Sequence, residues 1–124
     1  MKLWLVIFAA TYLLELPVYA LFLRRFLSAS RLVGFTLLIN LVTHPFIFLA
    51  LPKWMQNPVH YSLLAELVAV SVEGVLLYAL ARRQRWEGTS ALWCLGLAFF
   101  ANAVSATLGE LGYYALDKLG VPLA

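Results

Sequence analysis

The chain has 124 residues, of which 64% are hydrophobic and only 12% charged, and its mean hydropathy is +0.88. Soluble domains are usually about 45–50% apolar and about 25% charged, so this composition excludes a soluble globular protein. It is also too apolar for a disordered chain. The net charge is +3, but the arginines lie in short segments between apolar stretches. Membrane topology and lipid headgroups account for such arginines, so we expect no nucleic-acid binding.

Four apolar stretches have the length of about 20 residues that crosses a bilayer as a helix. They cover residues 3–23, 32–51, 61–81 and 91–111. Because the gaps between them are short, we expect residues 1–124 to form a single all-α domain, a four-helix transmembrane bundle. The first stretch follows Lys2 as a signal peptide would, but it continues to Arg24, past the length of a signal-peptide core. It is therefore predicted to be the first membrane helix.

Basic residues are divided unevenly between the two ends of the predicted bundle. The connections after spans one and three carry Arg24, Arg25, Arg31, Arg82, Arg83 and Arg85, and the other end carries Lys2, Lys53 and Lys118. Cytoplasmic loops are enriched in Lys and Arg. The sequence therefore predicts a bacterial-type inner (plasma) membrane protein whose Arg-rich connections are cytoplasmic and whose two termini are outside. The one cysteine, Cys94, cannot form an intramolecular disulfide.

The two halves of the chain repeat a pattern of polar residues. Glu15 and Glu73 are each followed by two arginines nine and ten residues later. The next span then carries Asn-x-x-Thr at Asn40 and Thr43, or Asn-x-x-Ser at Asn102 and Ser105. We predict that spans one–two and three–four are parallel-repeat hairpins related by an axis along the membrane normal. Coincidence is the alternative, because topology alone favours basic residues after spans one and three.

Four of the six acidic residues, Glu15, Glu66, Glu73 and Glu110, lie within the predicted spans, away from any Lys or Arg. From the helical rise, Glu15 and Glu73 lie about 3 Å from the bilayer midplane. Glu66 lies about 8 Å and Glu110 about 13 Å towards the outside. A charged side chain near the bilayer centre costs about 2.5–3.5 kcal/mol even on lenient scales. We therefore expect these acids to face the bundle interior, to be protonated or to hold a cation.

Further polar residues follow the same helix faces. Helical spacing places Thr43 and His44 beside Asn40 on span two, and Ser105 beside Asn102 on span four. Glu66 and Glu73, seven residues apart, are expected on one face of span three. The predicted site comprises Glu15, Glu73, Glu66, Asn40, Asn102, His44, Thr43 and Ser105. The asparagines and hydroxyls have an alternative role as hydrogen-bonding contacts between helices.

Two prolines interrupt the predicted helices near the same depth. Pro17 releases the carbonyl of Leu13 from helical hydrogen bonding, and Pro45 releases that of Leu41. Free carbonyls beside carboxylates would suit a cation or a water molecule. An ordinary proline kink is the alternative.

Together these residues favour proton or cation binding and translocation. An oxygen-rich site suits a hard cation such as Na⁺, which would then be the bound cofactor. A transition metal is a further candidate, with Glu15, His44, Glu66 and Glu73 as candidate ligands. Because four helices enclose little space, transport is expected to involve a homo-oligomer.

Two other classes of function stay open at this stage. An accessory or structural subunit of a larger membrane complex would pair its buried acids with basic residues of a partner. An intramembrane metal-dependent enzyme would use the carboxylates and His44 for catalysis. The chain has no nucleophile elbow and no Gly-rich phosphate loop, so enzymatic activity is not expected.

Overall fold

The computed structural model describes residues 2–120, and its regular structure is entirely helical. The helices are α1 (Lys2–Leu23), α2 (Ala29–Pro45), α3 (Pro58–Arg83) and α4 (Ala91–Lys118). A π-helical turn, Phe46–Ala50, and a 3₁₀ turn, Leu51–Lys53, continue α2. Four helical segments are long and apolar enough to cross a membrane. The prediction of an all-α chain with four spans is therefore confirmed.

Local capping explains where α3 and α4 begin. The Asn57 side chain accepts hydrogen bonds from the backbone N–H groups of Val59 and His60, and Pro58 occupies the first turn of α3. This cap starts the helix three residues before the predicted 61. The Ser90 hydroxyl accepts from the backbone N–H of the third residue of α4, so that helix begins at the predicted residue 91.

The C-terminal ends of two helices show features that were not predicted. The second span was predicted to run to residue 51, and helical geometry does continue to Lys53, but it changes from α-helical to π-helical after Pro45. Proline lacks the N–H that an α-helix needs, and in membrane helices a local π or 3₁₀ adjustment can satisfy the backbone groups that it frees. The fourth helix extends beyond the predicted residue 111 to Lys118, since no proline follows Ser90 within it.

The four helices form a closed ring. Each helix packs against the next one in the sequence, and α1 packs against α4. Because the connections are short, successive helices alternate in direction. Residues 24–28 and 84–90 therefore lie together, at what we call the Arg-rich end. There the rings of Phe26 and Trp86 stack, with centroids 4.7 Å apart and planes 9° from parallel.

Apolar side chains fill the interior in two clusters. The larger, towards the Arg-rich end, includes Tyr19, Leu23, Leu77, Cys94 and Leu97. The smaller, towards the opposite end, consists of Ile47, Leu51, Ala65 and Ala69. The buried polar side chains belong to the segments between these clusters, so the polar centre is enclosed by apolar packing at both ends.

A glycine allows α3 and α4 to approach closely. A Cβ atom added to Gly74 would lie 2.6 Å from Leu95 Cδ2 and 3.1 Å from Leu95 Cα. Small residues permit such close approach between membrane helices, where dispersion contacts contribute much of the association. Gly74 is therefore a packing residue of the bundle, one position after Glu73.

The outside of the bundle is apolar. Leu92 is 79% exposed, Leu63 67% and Leu13 63%, and large hydrophobic side chains are exposed on every helix. A soluble monomer rarely exposes apolar surface on this scale. The four helices thus have the surface, length and composition of an integral membrane protein.

Candidate functional site

Buried polar side chains from all four helices meet in the middle of the bundle. They are Glu15 and Tyr19 on α1, Asn40 and Thr43 on α2, Glu73 on α3, and Asn102 and Ser105 on α4. We call this group the polar layer. Glu15 is 0% exposed and Glu73 is 1% exposed. The two acids are thus sealed from the surroundings of the bundle.

Glu15 is held by one amide and one hydroxyl. Asn40 Nδ2 donates to Glu15 Oε2 across 2.8 Å. Ser105 Oγ lies 3.2 Å from Glu15 Oε1. The carboxyl therefore links α1 to both of its neighbours in the ring, α2 and α4.

Glu73 has an equivalent pair of contacts and one more. Asn102 Nδ2 donates to Glu73 Oε2 across 2.8 Å, and Thr43 Oγ1 lies 3.4 Å from Glu73 Oε1. The Tyr19 hydroxyl also donates to Oε2, across 2.9 Å. Through these contacts the carboxyl on α3 reaches each of the other three helices.

Helix backbone fixes the orientation of both asparagines. Asn40 Nδ2 also donates to the carbonyl of Thr36, at 3.0 Å, and Asn102 Nδ2 to the carbonyl of Ala98, at 2.9 Å. Exchanging nitrogen and oxygen in either amide would place two oxygens against each other. The nitrogen of each amide must therefore face the carboxyl.

Two buried polar atoms in or beside the polar layer have no hydrogen-bond partner among the residues that the structure describes. These are Thr36 Oγ1 and Asn40 Oδ1, on α2. Thr36 is 0% exposed and lies one helical turn before Asn40. Buried atoms without partners are uncommon in folded proteins, so this side of α2 is the least satisfied part of the layer.

His44 is buried beside the polar layer but makes no hydrogen bond to its acids. Its ring stacks on Phe48 at 5.5 Å and meets the edge of Phe8 at 5.4 Å. Its Nδ1 atom is buried, and none of the residues described by the structure offers it a hydrogen bond. The predicted site residue therefore lies in an aromatic setting, next to the site and not within its hydrogen bonds.

Glu66 is not brought to the polar layer. The buried stripe of α3 advances in four-residue steps through Ala65, Ala69, Glu73, Leu77 and Ala81. On an α-helix, a row of residues four apart and a row of residues seven apart slant around the axis in opposite directions. Glu66, seven residues before Glu73, therefore lies off the buried row and is exposed. Glu110, on α4, is also exposed.

The carbonyls released by the two prolines do not serve as ligands of the central acids in the described residues. Leu13 and Leu41, whose carbonyls the prolines release, carry exposed side chains, and Pro17 is exposed. Among residues 2–120, the hydrogen bonds of the two central acids come from side-chain amides and hydroxyls. The released carbonyls are not among the contacts of the acids.

The four candidate metal ligands do not lie together in the bundle. Within the part of the chain that the structure describes, no three His, Cys, Asp or Glu side chains group as a metal site would require. Glu15 and Glu73 lie in the polar layer, His44 lies between aromatic rings, and Glu66 is exposed.

Tyr19 and Thr36 were missing from the predicted site. Tyr19 lies four residues after Glu15 and Thr36 four residues before Asn40, so each shares a helix face with a predicted site residue. That spacing was the available signal. Aromatic residues in membrane proteins are usually interfacial or lipid-facing, which is why the tyrosine did not stand out.

The two acids of the polar layer are separated along the chain from the basic residues. Every Lys and Arg of the sequence lies in a connection or near a helix end, nine or more residues along the chain from Glu15 and Glu73.

Comparison with protein families, with curated proteins and with solved structures gives no match. The chemistry of the polar layer is therefore the basis for assigning a function.

Proposed function

We propose that this protein binds protons or small cations at the polar layer and passes them across the membrane. The observation that carries the proposal is the burial of Glu15 and Glu73 in one hydrogen-bonded layer shared by all four helices. Ionisable residues inside membrane spans are costly and commonly mark ion or proton pathways. Because Lys and Arg lie in connections or near helix ends, a proton or a cation is the group that would balance the charge of each acid.

We further propose that the two hairpins are repeats and that both termini lie outside. The repeat is supported by matched contacts: each acid receives the asparagine of its own hairpin and the hydroxyl of the other. The orientation is supported by the arginines gathered at one end of the bundle. On this arrangement the Arg-rich end is cytoplasmic.

Reconstitution in liposomes tests the transport proposal. Proton and Na⁺ flux would be measured for the wild-type protein, for Glu15→Gln and for Glu73→Gln. The matched control is Glu110→Gln, which removes the same charge from an exposed position outside the polar layer. We expect the flux to be lost in Glu15→Gln and Glu73→Gln and to be kept in Glu110→Gln. A folded wild-type protein without flux would contradict the proposal.

One observation favours a second candidate, an accessory subunit of a larger membrane complex. Glu66 and Glu110 are exposed along a surface formed by α3 and α4, within membrane-spanning helices. Exposed carboxyls at that depth would be stabilised by basic or hydrogen-bonding groups of a neighbouring chain. Crosslinking from Leu67→Cys and Leu108→Cys in native membranes would then capture another protein. Capture of the same chain would indicate a homo-oligomer.

A further inference from the structure

The hydroxyls of Ser105 and Thr43 each face at least one backbone carbonyl oxygen and one carboxyl oxygen. Ser105 Oγ lies 3.0 Å from the carbonyl of Asn102 and 3.2 Å from Glu15 Oε1. Thr43 Oγ1 lies 3.0 Å from the carbonyl of Ile39, 3.5 Å from that of Asn40 and 3.4 Å from Glu73 Oε1. A hydroxyl has one hydrogen to donate. In both cases the shortest contact is with the backbone, and when the hydrogen points to that carbonyl the carboxyl oxygen faces a lone pair of the hydroxyl.

The amides distinguish the two oxygens of each carboxyl. Oε2 of Glu15 and Oε2 of Glu73 each accept an N–H from an asparagine whose other N–H is bound to its own helix. Oε2 is thus an acceptor in both acids. The remaining oxygen, Oε1, faces a hydroxyl that has already used its hydrogen. That contact becomes a hydrogen bond when Oε1 carries a proton.

We infer that Glu15 and Glu73 are both held as neutral carboxylic acids with their protons on Oε1, and that the species bound at the polar layer is the proton. This inference rests on the proposed function and narrows it. In the neutral state each Oε2 accepts from an amide, each Oε1–H donates to a hydroxyl, and each hydroxyl donates to a helix carbonyl. Both acids are then fully hydrogen-bonded without any positive charge.

A metal cation fits this arrangement poorly. Hard cations bind oxygen lone pairs, such as those of carboxylates and amide carbonyls. Here both asparagines turn their NH₂ groups towards the acids, and the Tyr19 hydroxyl donates to Glu73 as well. The groups that contact Oε2 of each acid are therefore donors and not ligand oxygens.

The hydrogen bonds of each acid can adjust to loss of the proton through rotation of one hydroxyl. When the packing around the layer opens and Oε1 transfers its proton to an entering water molecule, the neighbouring hydroxyl can rotate its hydrogen from the backbone carbonyl to Oε1. The carboxylate then accepts from one amide and one hydroxyl, and the helix carbonyl retains its own backbone bond. The other titratable groups along the surrounding helices include Tyr12 and Tyr19 on α1, His44 on α2, Tyr61, Glu66 and Tyr78 on α3, and Cys94 and Glu110 on α4.

Infrared spectroscopy of the full-length protein in liposomes tests this inference. At neutral pH we expect carbonyl bands of protonated carboxyls that shift in D₂O. One band should be lost in Glu15→Gln and another in Glu73→Gln. In Ser105→Ala the Glu15 band should move to higher frequency without disappearing, because its hydrogen bond is removed. Glu110→Gln, the control, should leave the bands of the buried acids unchanged.

A thermal-unfolding measurement supplies a second readout. Glutamine reproduces the neutral acid, since its NH₂ can donate to the hydroxyl and its carbonyl can accept from the asparagine. Glu15→Gln and Glu73→Gln should therefore keep the wild-type Tm. Carboxylate bands alone at neutral pH, or carboxyl bands displaced by added Na⁺, would overturn the inference.

The outcomes separate the inference from the proposed function. Protonated bands without flux in liposomes would remove the transport proposal and support the assignment of neutral acids. Flux together with ionised carboxyls would support transport and overturn the neutral acids.

Discussion

Tyr19 on α1 donates its phenolic hydrogen to Glu73 Oε2 on α3, across 2.9 Å, and so joins two helices that are not neighbours in the ring. Both residues are completely or almost completely buried. The position of the second hairpin that corresponds to Tyr19 is Leu77, four residues after Glu73. The two acids therefore differ in one donor, although their other contacts match.

Replacing Tyr19 with phenylalanine tests the value of this bond. Tyr19→Phe keeps the ring and removes the hydroxyl, so the free energy of unfolding should fall by about 1 kcal/mol, the net value of a hydrogen bond. The measurement is unfolding in detergent micelles. Tyr113→Phe removes a hydroxyl from a side chain that is 62% exposed and should have no effect. Equal Tm changes in the two variants would mean that the bond contributes nothing.

Replacement of Asn102, the asparagine of the second hairpin, should lower the free energy of unfolding. Asn102→Ala leaves Glu73 without one of its donors in a buried setting, which should cost about 1–3 kcal/mol. Thr107→Ala, at an exposed position of the same helix, is the matched control. Chemical or thermal unfolding of both variants checks this expectation, and an Asn102→Ala protein as stable as the control would contradict it.

Gly74 should tolerate no larger side chain. In Gly74→Ala the added Cβ would lie against both the side chain and the backbone of Leu95, so we expect a loss of about 1–3 kcal/mol. A Cβ added to Gly96 on α4 would meet no atom within 4 Å, and Gly96→Ala is expected to be neutral or slightly stabilising. The Tm of the two variants in the same detergent gives the comparison. A destabilised Gly96 variant beside a stable Gly74 variant would reverse the assignment.

Cysteine accessibility tests the proposed orientation. In a Cys94→Ala background, single cysteines at Gln56 and Gln84 lie at opposite ends of the bundle on exposed positions. A membrane-impermeant maleimide added to intact cells should label Gln56→Cys and leave Gln84→Cys unlabelled until the cells are opened. The opposite labelling pattern would place the Arg-rich end outside.

The number of helices and the burial of the two central acids could be predicted from the sequence. Apolar length determines a membrane helix with little help from tertiary context, and the cost of a charge in lipid requires Glu15 and Glu73 to turn inwards. The asparagines and hydroxyls could be placed near them because they share helix faces at three- and four-residue spacing.

Other features depended on packing that a single helix does not reveal. Glu66 satisfied the same spacing rule as the site residues, but the four-residue row of contacts along α3 left it exposed. Tyr19 reaches across the bundle to Glu73, and no pattern within α1 indicates a partner on α3. The end of α2 at Pro45 depended on how the chain absorbs the missing N–H, which local propensity does not determine.

The hydroxyl contacts run between the hairpins, and this has a consequence for assembly. Ser105 of the second hairpin serves Glu15 of the first, and Thr43 of the first serves Glu73 of the second. Neither hairpin alone can complete the hydrogen bonds of its own acid. If residues 1–56 and 57–124 are produced as separate polypeptides, they should therefore associate in the membrane, because each supplies the hydroxyl that contacts the acid of the other.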